Sequence, residues 1–116
     1  MKAIYAPVKG KKQIIEFPEQ HDWKWFADTI HCDWIEVVHP EKLPEGYAMI
    51  VDEEGLLTEK PLNRFGSWLY GIEKHGQPIV GDVLIVKESY TTEGLDHVGM
   101  MDGEAEELIK RLICPF

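Results

Sequence analysis

Two hydrophobic periods alternate along this chain. Residues 3–8 and 13–17 are rich in Ile, Val, Tyr and Phe and flank Lys9-Gly10-Lys11-Lys12, the pattern of two strands joined by a hairpin turn. Pro18 ends the second strand. Trp23, Phe26, Ala27 and Ile30 then fall at i, i+3, i+4 and i+7, which predicts one buried stripe on a helix over 19–31, with Asp22 and Asp28 off the stripe. The β-branched run Trp34-Ile35-Glu36-Val37-Val38 predicts a strand, and Tyr47-Ala48-Met49-Ile50-Val51 another. Asp52-Glu53-Glu54-Gly55 has turn chemistry, so Leu56-Leu57-Thr58 is expected to return as the second arm of a hairpin.

The second half opens with Pro61-Leu62-Asn63, the entry to a short helix. Asn63 can accept a free backbone N–H as its cap, Phe65, Trp68 and Leu69 supply a buried side, and Gly71 a stop. Gly66 inside this segment costs about 1 kcal/mol relative to alanine. Residues 78–86 are the most apolar run, with Gly81-Asp82 opening a strand over 83–87. Residues 88–103 are polar and contain Gly, the composition of a flexible loop. The last helix has Asp102 as N-cap, Glu104, Glu106 and Glu107 in the first turn, and Lys110 and Arg111 in the last, an order that suits the helix dipole. Ala105, Leu108, Ile109 and Leu112 form its buried stripe, and Pro115 stops it. Early paired strands with helices between them predict an α+β fold, a mostly antiparallel sheet with two or three helices on one face. No GxGxxG or GxxxxGK[ST] nucleotide-binding pattern is present.

Composition narrows the function classes. The 116 residues suit one domain spanning 1–116, with an acidic loop and helix over 88–116. No apolar run reaches the roughly 18 residues of a membrane span, and no signal-like block opens the chain, so a soluble cytoplasmic protein with no membrane role is expected. The net charge is -9: residues 1–12 carry +4 and residues 13–59 carry -10. That balance opposes direct nucleic-acid binding over most of the surface. Cys32 and Cys114 form no CxxC and are expected reduced.

Four strings occur in order: Ile35-Glu36-Val37-Val38, Val51-Asp52-Glu53-Glu54-Gly55, Pro61-Leu62-Asn63 and Ile79-Val80-Gly81-Asp82-Val83-Leu84-Ile85-Val86. Together they resemble an uncharacterised family of small proteins common in phages and other mobile elements, over roughly residues 1–87. The resemblance implies a mobile-element accessory protein, of a kind often found beside genes that deal with host defence. It brings no catalytic residues.

The candidate chemistry is sparse. Asp52, Glu53 and Glu54 are adjacent, and consecutive strand residues point apart, so a solvated turn explains them better than a metal site or an acid–base pair. His31, Cys32, Asp33 and His39 lack the paired spacings of a zinc site. Neither cysteine, nor Ser67 or Ser89, sits in a nucleophile elbow. The expectation is therefore no catalytic residue, no metal and no cofactor.

Four tryptophans stand out in a chain this size. Trp23 and Trp68 fall on predicted core stripes. Trp25 lies off its stripe and Trp34 abuts a strand start, which makes both candidates for a binding surface. Arg64, at a helix N-terminus beside Asn63 and near Tyr70, is the best anion-binding candidate. The expected ligand-binding set is thus Asn63, Arg64, Tyr70, Trp25 and Trp34. The leading expectation is a non-enzymatic binding protein that sequesters or occupies a partner. That partner is a protein or a small anionic ligand, and counter-defence as a small-nucleotide sponge is included. A homo-oligomer is compatible with this. Residues 88–107, with seven acids and no Lys or Arg, give one alternative, a DNA-mimic inhibitor of a DNA-binding enzyme. A small metal-dependent hydrolase using Asp52 or Glu53 is the other.

Overall fold

The computed structural model describes residues 1–114, so the expected stop at Pro115 lies outside the described residues. Those residues form six strands and four helices. The strands are β1 (Lys2–Ala6), β2 (Gln13–Glu16), β3 (Ile35–Val38), β4 (Tyr47–Asp52), β5 (Val83–Thr91) and β6 (Gly94–Val98). The helices are α1 (Trp23–Thr29), α2 (Arg64–Tyr70), α3 (Ile72–His75) and α4 (Asp102–Arg111). Every pairing is antiparallel, in the order β2-β1-β5-β4-β3, with β6 added to the far half of β5. The expected α+β class with an antiparallel sheet is the one found.

Strand β5 organises the sheet. Val83, Leu84, Ile85 and Val86 are all fully buried, because both faces of the sheet are covered there. Alternate side chains feed two cores. Val83 and Ile85 join Ile4, Met49 and Val51 under Phe65 and Leu69 of α2 and Ala105 and Leu108 of α4. Leu84 and Val86 join Ala3, Ala48 and Ile50 under Phe26 and Ile30, with Phe17 beside them. So α2 and α4 share one face, two helices on one face as expected, while α1 lies alone on the other and is not the third helix of that layer.

Local chemistry sets the helix ends. Asp22 caps α1 by accepting the Lys24 and Trp25 N–H groups at 3.0 and 3.3 Å, so the helix starts at Trp23 and not at 19. Asn63 and Gly71 bound α2 as expected, Gly71 taking φ 88°. In α4 the capping position is Met101, and Asp102 is the first helical residue. Glu104 reaches back to the Met101 N–H at 3.3 Å.

Two segments differ from expectation. Residues 56–58 form no strand. Asp52 Oδ1 accepts the Glu54 N–H at 2.8 Å, the Thr58 N–H returns to the Glu54 carbonyl, and the segment winds as successive turns. Gly55 is pressed against Val80, so that a Cβ there would lie 2.5 Å from Val80 Cγ2. Residues 88–103 are not one flexible loop either. Strand β5 runs on to Thr91, and Gly94 (φ 110°) turns the chain into β6.

Candidate functional site

The α1 face of the sheet carries the most exposed aromatic surface. Trp23 opens α1 and Trp34 immediately precedes β3. Their rings stack with centroids 5.4 Å apart and planes 8° from parallel, yet they remain 51% and 55% exposed. The Trp34 backbone is held in place because its carbonyl accepts the Glu53 N–H at 3.0 Å. Trp23 is thus not the core residue its spacing predicts. As the first residue of a helix capped at Asp22, it lies at the margin of the covered sheet and packs sideways on Trp34.

Beside the stack a pocket of about 480 Å³ runs between the segment before α1 and strand β6. It is lined by Glu19, His21, Asp22, Phe26, Ile35, Asp96 and His97 among others. A second pocket of about 340 Å³ shares Glu19, His21 and Asp96 and extends to Phe17 and Val98. Packed rings stand along these pockets, some edge to face and some tilted. Phe17 meets Trp25 at 5.2 Å and His21 at 4.5 Å, and Phe26 meets His97 at 5.8 Å. Trp25, off its predicted stripe and a candidate for a binding surface, is half-buried and packs edge to face on Phe17 and Phe26.

Below the groove, Glu88 of β5 pairs directly across the ladder with His97 of β6. Its carboxylate is largely buried between two imidazoles, with Oε1 2.9 Å from His39 Nε2 and Oε2 3.2 Å from His97 Nε2. His97 Nε2 is fully buried, and its contact with Glu88 is out of line for a hydrogen bond.

At the other end of α1 the polar groups are committed to one another. His31 takes a left-handed backbone (φ 61°), and its Nδ1 lies 3.1 Å from Asp82 Oδ2. Tyr5 donates to the same oxygen at 2.5 Å and the Val8 N–H to the other at 2.9 Å. Burial works against the Asp82 carboxylate, but these hydrogen bonds hold it below the usual carboxylate range. Burial first, and then the hydrogen bond to Asp82, pushes the Tyr5 phenol up to about 12. Asp52, almost wholly enclosed, gives Oδ2 to Lys60 at 2.6 Å and Oδ1 to the Glu54 N–H. The Cys32 thiol is pushed up to about 11, by burial and then by the Asp52 charge, which is the opposite of what activates a nucleophile. Among the described residues no three His, Cys, Asp or Glu side chains converge as a metal site, and no helix is long and apolar enough to cross a membrane.

The five residues expected to bind ligand do not meet. Asn63 is 1% exposed and spends its side chain internally: Nδ2 donates to the Ala6 and Gly81 carbonyls at 3.0 and 2.9 Å, and Oδ1 accepts the Gly66 N–H at 2.8 Å. Arg64 is exposed on α2, and Tyr70 packs against the α2–α4 core with its ring on His75. Trp25 and Trp34 belong to the opposite face. The histidines and acids of the groove carry no local motif. Their proximity depends on the β5–β6 hairpin, which sets Glu88 opposite His97 and Tyr90 opposite Leu95.

Fold and site together define a small antiparallel α+β protein with one sheet face left partly open beneath a short helix. The chain belongs to DUF3846, a family of domains of unknown function whose model matches residues 1–112. That match runs through β6 and α4, beyond the span of the four strings. No curated protein and no solved structure matches the chain.

Proposed function

We propose that this chain is a non-enzymatic binding protein that occupies a partner through its α1 face. The stacked, half-exposed pair Trp23–Trp34 beside an open groove carries the reading. Burying an indole is among the largest single contributions to an interface, and soluble chains seldom leave two in contact at the surface without a use for them. The committed state of Asp52, Asp82 and Lys60 supports it, since these side chains hold the fold and are not free for chemistry. A partner protein is favoured over a small nucleotide. Arg64 and the indoles lie on opposite faces, so one copy cannot grip a phosphate and stack its base with those residues. The mobile-element setting implied by the sequence strings suits a protein that acts by occupying a host component, and the acidic surface is compatible with competition against DNA.

Site-specific photocrosslinking tests the reading. A benzophenone amino acid in place of Trp34 should yield a discrete adduct in cells that express the protein, and the same probe in place of Arg64, on the other face, should not. Equal or absent crosslinking at the two positions would remove the α1 face as the binding surface.

A further inference from the structure

Resting on that reading, we infer that the groove takes a guanidinium-bearing segment of a partner protein, its arginine side chain laid on the Trp23–Trp34 stack. The charge of the groove points there. Glu19, Asp22 and Asp96 line it, and neither lobe is lined by a lysine or arginine. Part of this charge is unspent. Asp22 uses only Oδ1 to cap α1, Asp96 uses only Oδ1 on the His97 N–H, and Glu19 makes no ion pair among the described residues. The segment 13–59, which supplies α1 and β3, carries -10, so an anionic ligand approaches against the field.

The indoles then select among cations. A planar guanidinium stacks on an aromatic face and still presents in-plane N–H groups to carboxylates, whereas an ammonium is a point charge with a tighter water shell. Trp23 lines the groove together with Glu19, Asp22 and Asp96, and Trp34 stacks on it, so an exposed indole and free carboxylate oxygens share one surface and match the first geometry. The rival occupant is a second copy of this chain, whose β1–β2 turn carries exposed Lys9 and Lys11. That contact would be made by lysines, without the stacking preference.

The test is a titration followed by ¹⁵N spectra of the full chain, with the four indole N–H signals assigned by single Trp→Phe variants. The probes are an octapeptide alternating Arg and Gly, its Lys and Glu counterparts, and adenosine monophosphate. The Arg peptide should move the Trp23 and Trp34 indole signals and the Asp96 and His97 amides, binding several-fold more tightly than the Lys peptide. Trp34→Ala should weaken it about threefold to tenfold. Glu19→Gln with Asp96→Asn should weaken it further and flatten its salt dependence. All three positions are solvent-facing, so a retained amide spectrum confirms folding. Equal Arg and Lys binding with no Trp34→Ala effect overturns the guanidinium assignment. Indole shifts with adenosine monophosphate but not with the peptides leave the α1-face reading standing and sink this inference. Silence from every probe sinks both. Concentration-dependent self-association abolished by Trp34→Ala makes the occupant a second copy and also overturns it.

Discussion

Replacing Asn63 by alanine should cost far more than the loss of a helix cap, and the structure says how much more. The cap itself, Oδ1 to the Gly66 N–H, is worth about 1 kcal/mol. Its amide group also satisfies the carbonyls of Ala6, at the end of β1, and Gly81, just before β5. The site is 1% exposed, so neither oxygen regains water when the donor goes, and each unsatisfied buried group costs about 1 kcal/mol or more. The expected loss is about 3–4 kcal/mol, a large part of the roughly 5–15 kcal/mol available to a domain of this kind. Asp22→Ala is the internal control. It removes a cap of the same type whose bonds are solvent-exposed, and should cost about 1 kcal/mol. Urea unfolding followed by circular dichroism and tryptophan fluorescence gives both values, provided the denaturant slope is unchanged. Asn63→Asp adds a sign test. A carboxylate there keeps the cap but faces two carbonyl oxygens, so the folded state favours its protonated form and raises its pKa above the unfolded value. The variant is then nearest to the native chain below the unfolded pKa and loses ground as pH rises through the folded one. Equal losses for Asn63→Ala and Asp22→Ala, within about 0.5 kcal/mol, would show that Asn63 is only a cap and refute the argument from its interior hydrogen bonds.

The other outcomes concern protons. Tyr5 and Tyr47 are both raised to about 12, by burial and then by hydrogen bonds to Asp82 and Glu104, so two of the four tyrosines should ionise late in an ultraviolet pH titration. Because the folded values lie above the unfolded one near 10, the linked stability is fully present below pH ~10 and disappears as pH climbs towards ~12; Tyr5→Phe and Tyr47→Phe should each delete one late phase. Cys32, with its thiol at about 11, should resist iodoacetamide at neutral pH in the folded chain and react at the rate of an ordinary thiol in urea. Mass spectrometry that finds Cys32 alkylated within the first time points of the native reaction would contradict a thiol held protonated by its surroundings.

What the sequence disclosed and what it hid divide along the range of the forces involved. The ends of α2 can be read directly from Asn63 and Gly71, because a cap and a left-handed stop are decided within one turn. The run Val83–Val86 announces a strand buried on both faces for the same reason: four apolar residues with no alternation leave no solvent side. The β5–β6 hairpin is hidden because Tyr90 and Leu95 pair across it while 84% and 53% exposed, so its strands lack the buried–exposed alternation that marks a sheet. Trp34 can be singled out as a surface candidate from its place at a strand start. Trp23 cannot, because its helical spacing from Phe26 and Ala27 is genuine and only the cap at Asp22, one residue earlier, sets it at the helix margin. The contact between the two rings depends on how α1 crosses towards β3, which no local pattern encodes.

The open groove follows from the proportions of the fold. Five neighbouring strands span about 20 Å across the sheet. On one face they meet helices of seven and ten residues, and the core is closed there by Phe65, Leu69, Leu108 and Leu112. On the other they meet only α1, whose seven residues extend about 10 Å. One short helix cannot roof that width, so the chain widens it with rings: His21 and Trp25 pack edge to face on Phe26, and Phe17 edge to face on Trp25. The cover still ends short of Trp34 on one side and of Tyr90 and Leu95 on the other. By strand alternation Tyr90 and Leu95 lie on the same face as Leu84, Val86 and Glu88. A chain selected only for stability could close this gap with one more turn of α1 or with polar residues at the rim. Instead the rim holds the exposed aromatics, and the acids beside them are left partly unpaired. The stacked rings left exposed at this rim, and not the polar cluster around Asp82 whose groups are committed to one another, are what the proposal of the α1 face as the partner-binding surface rests on.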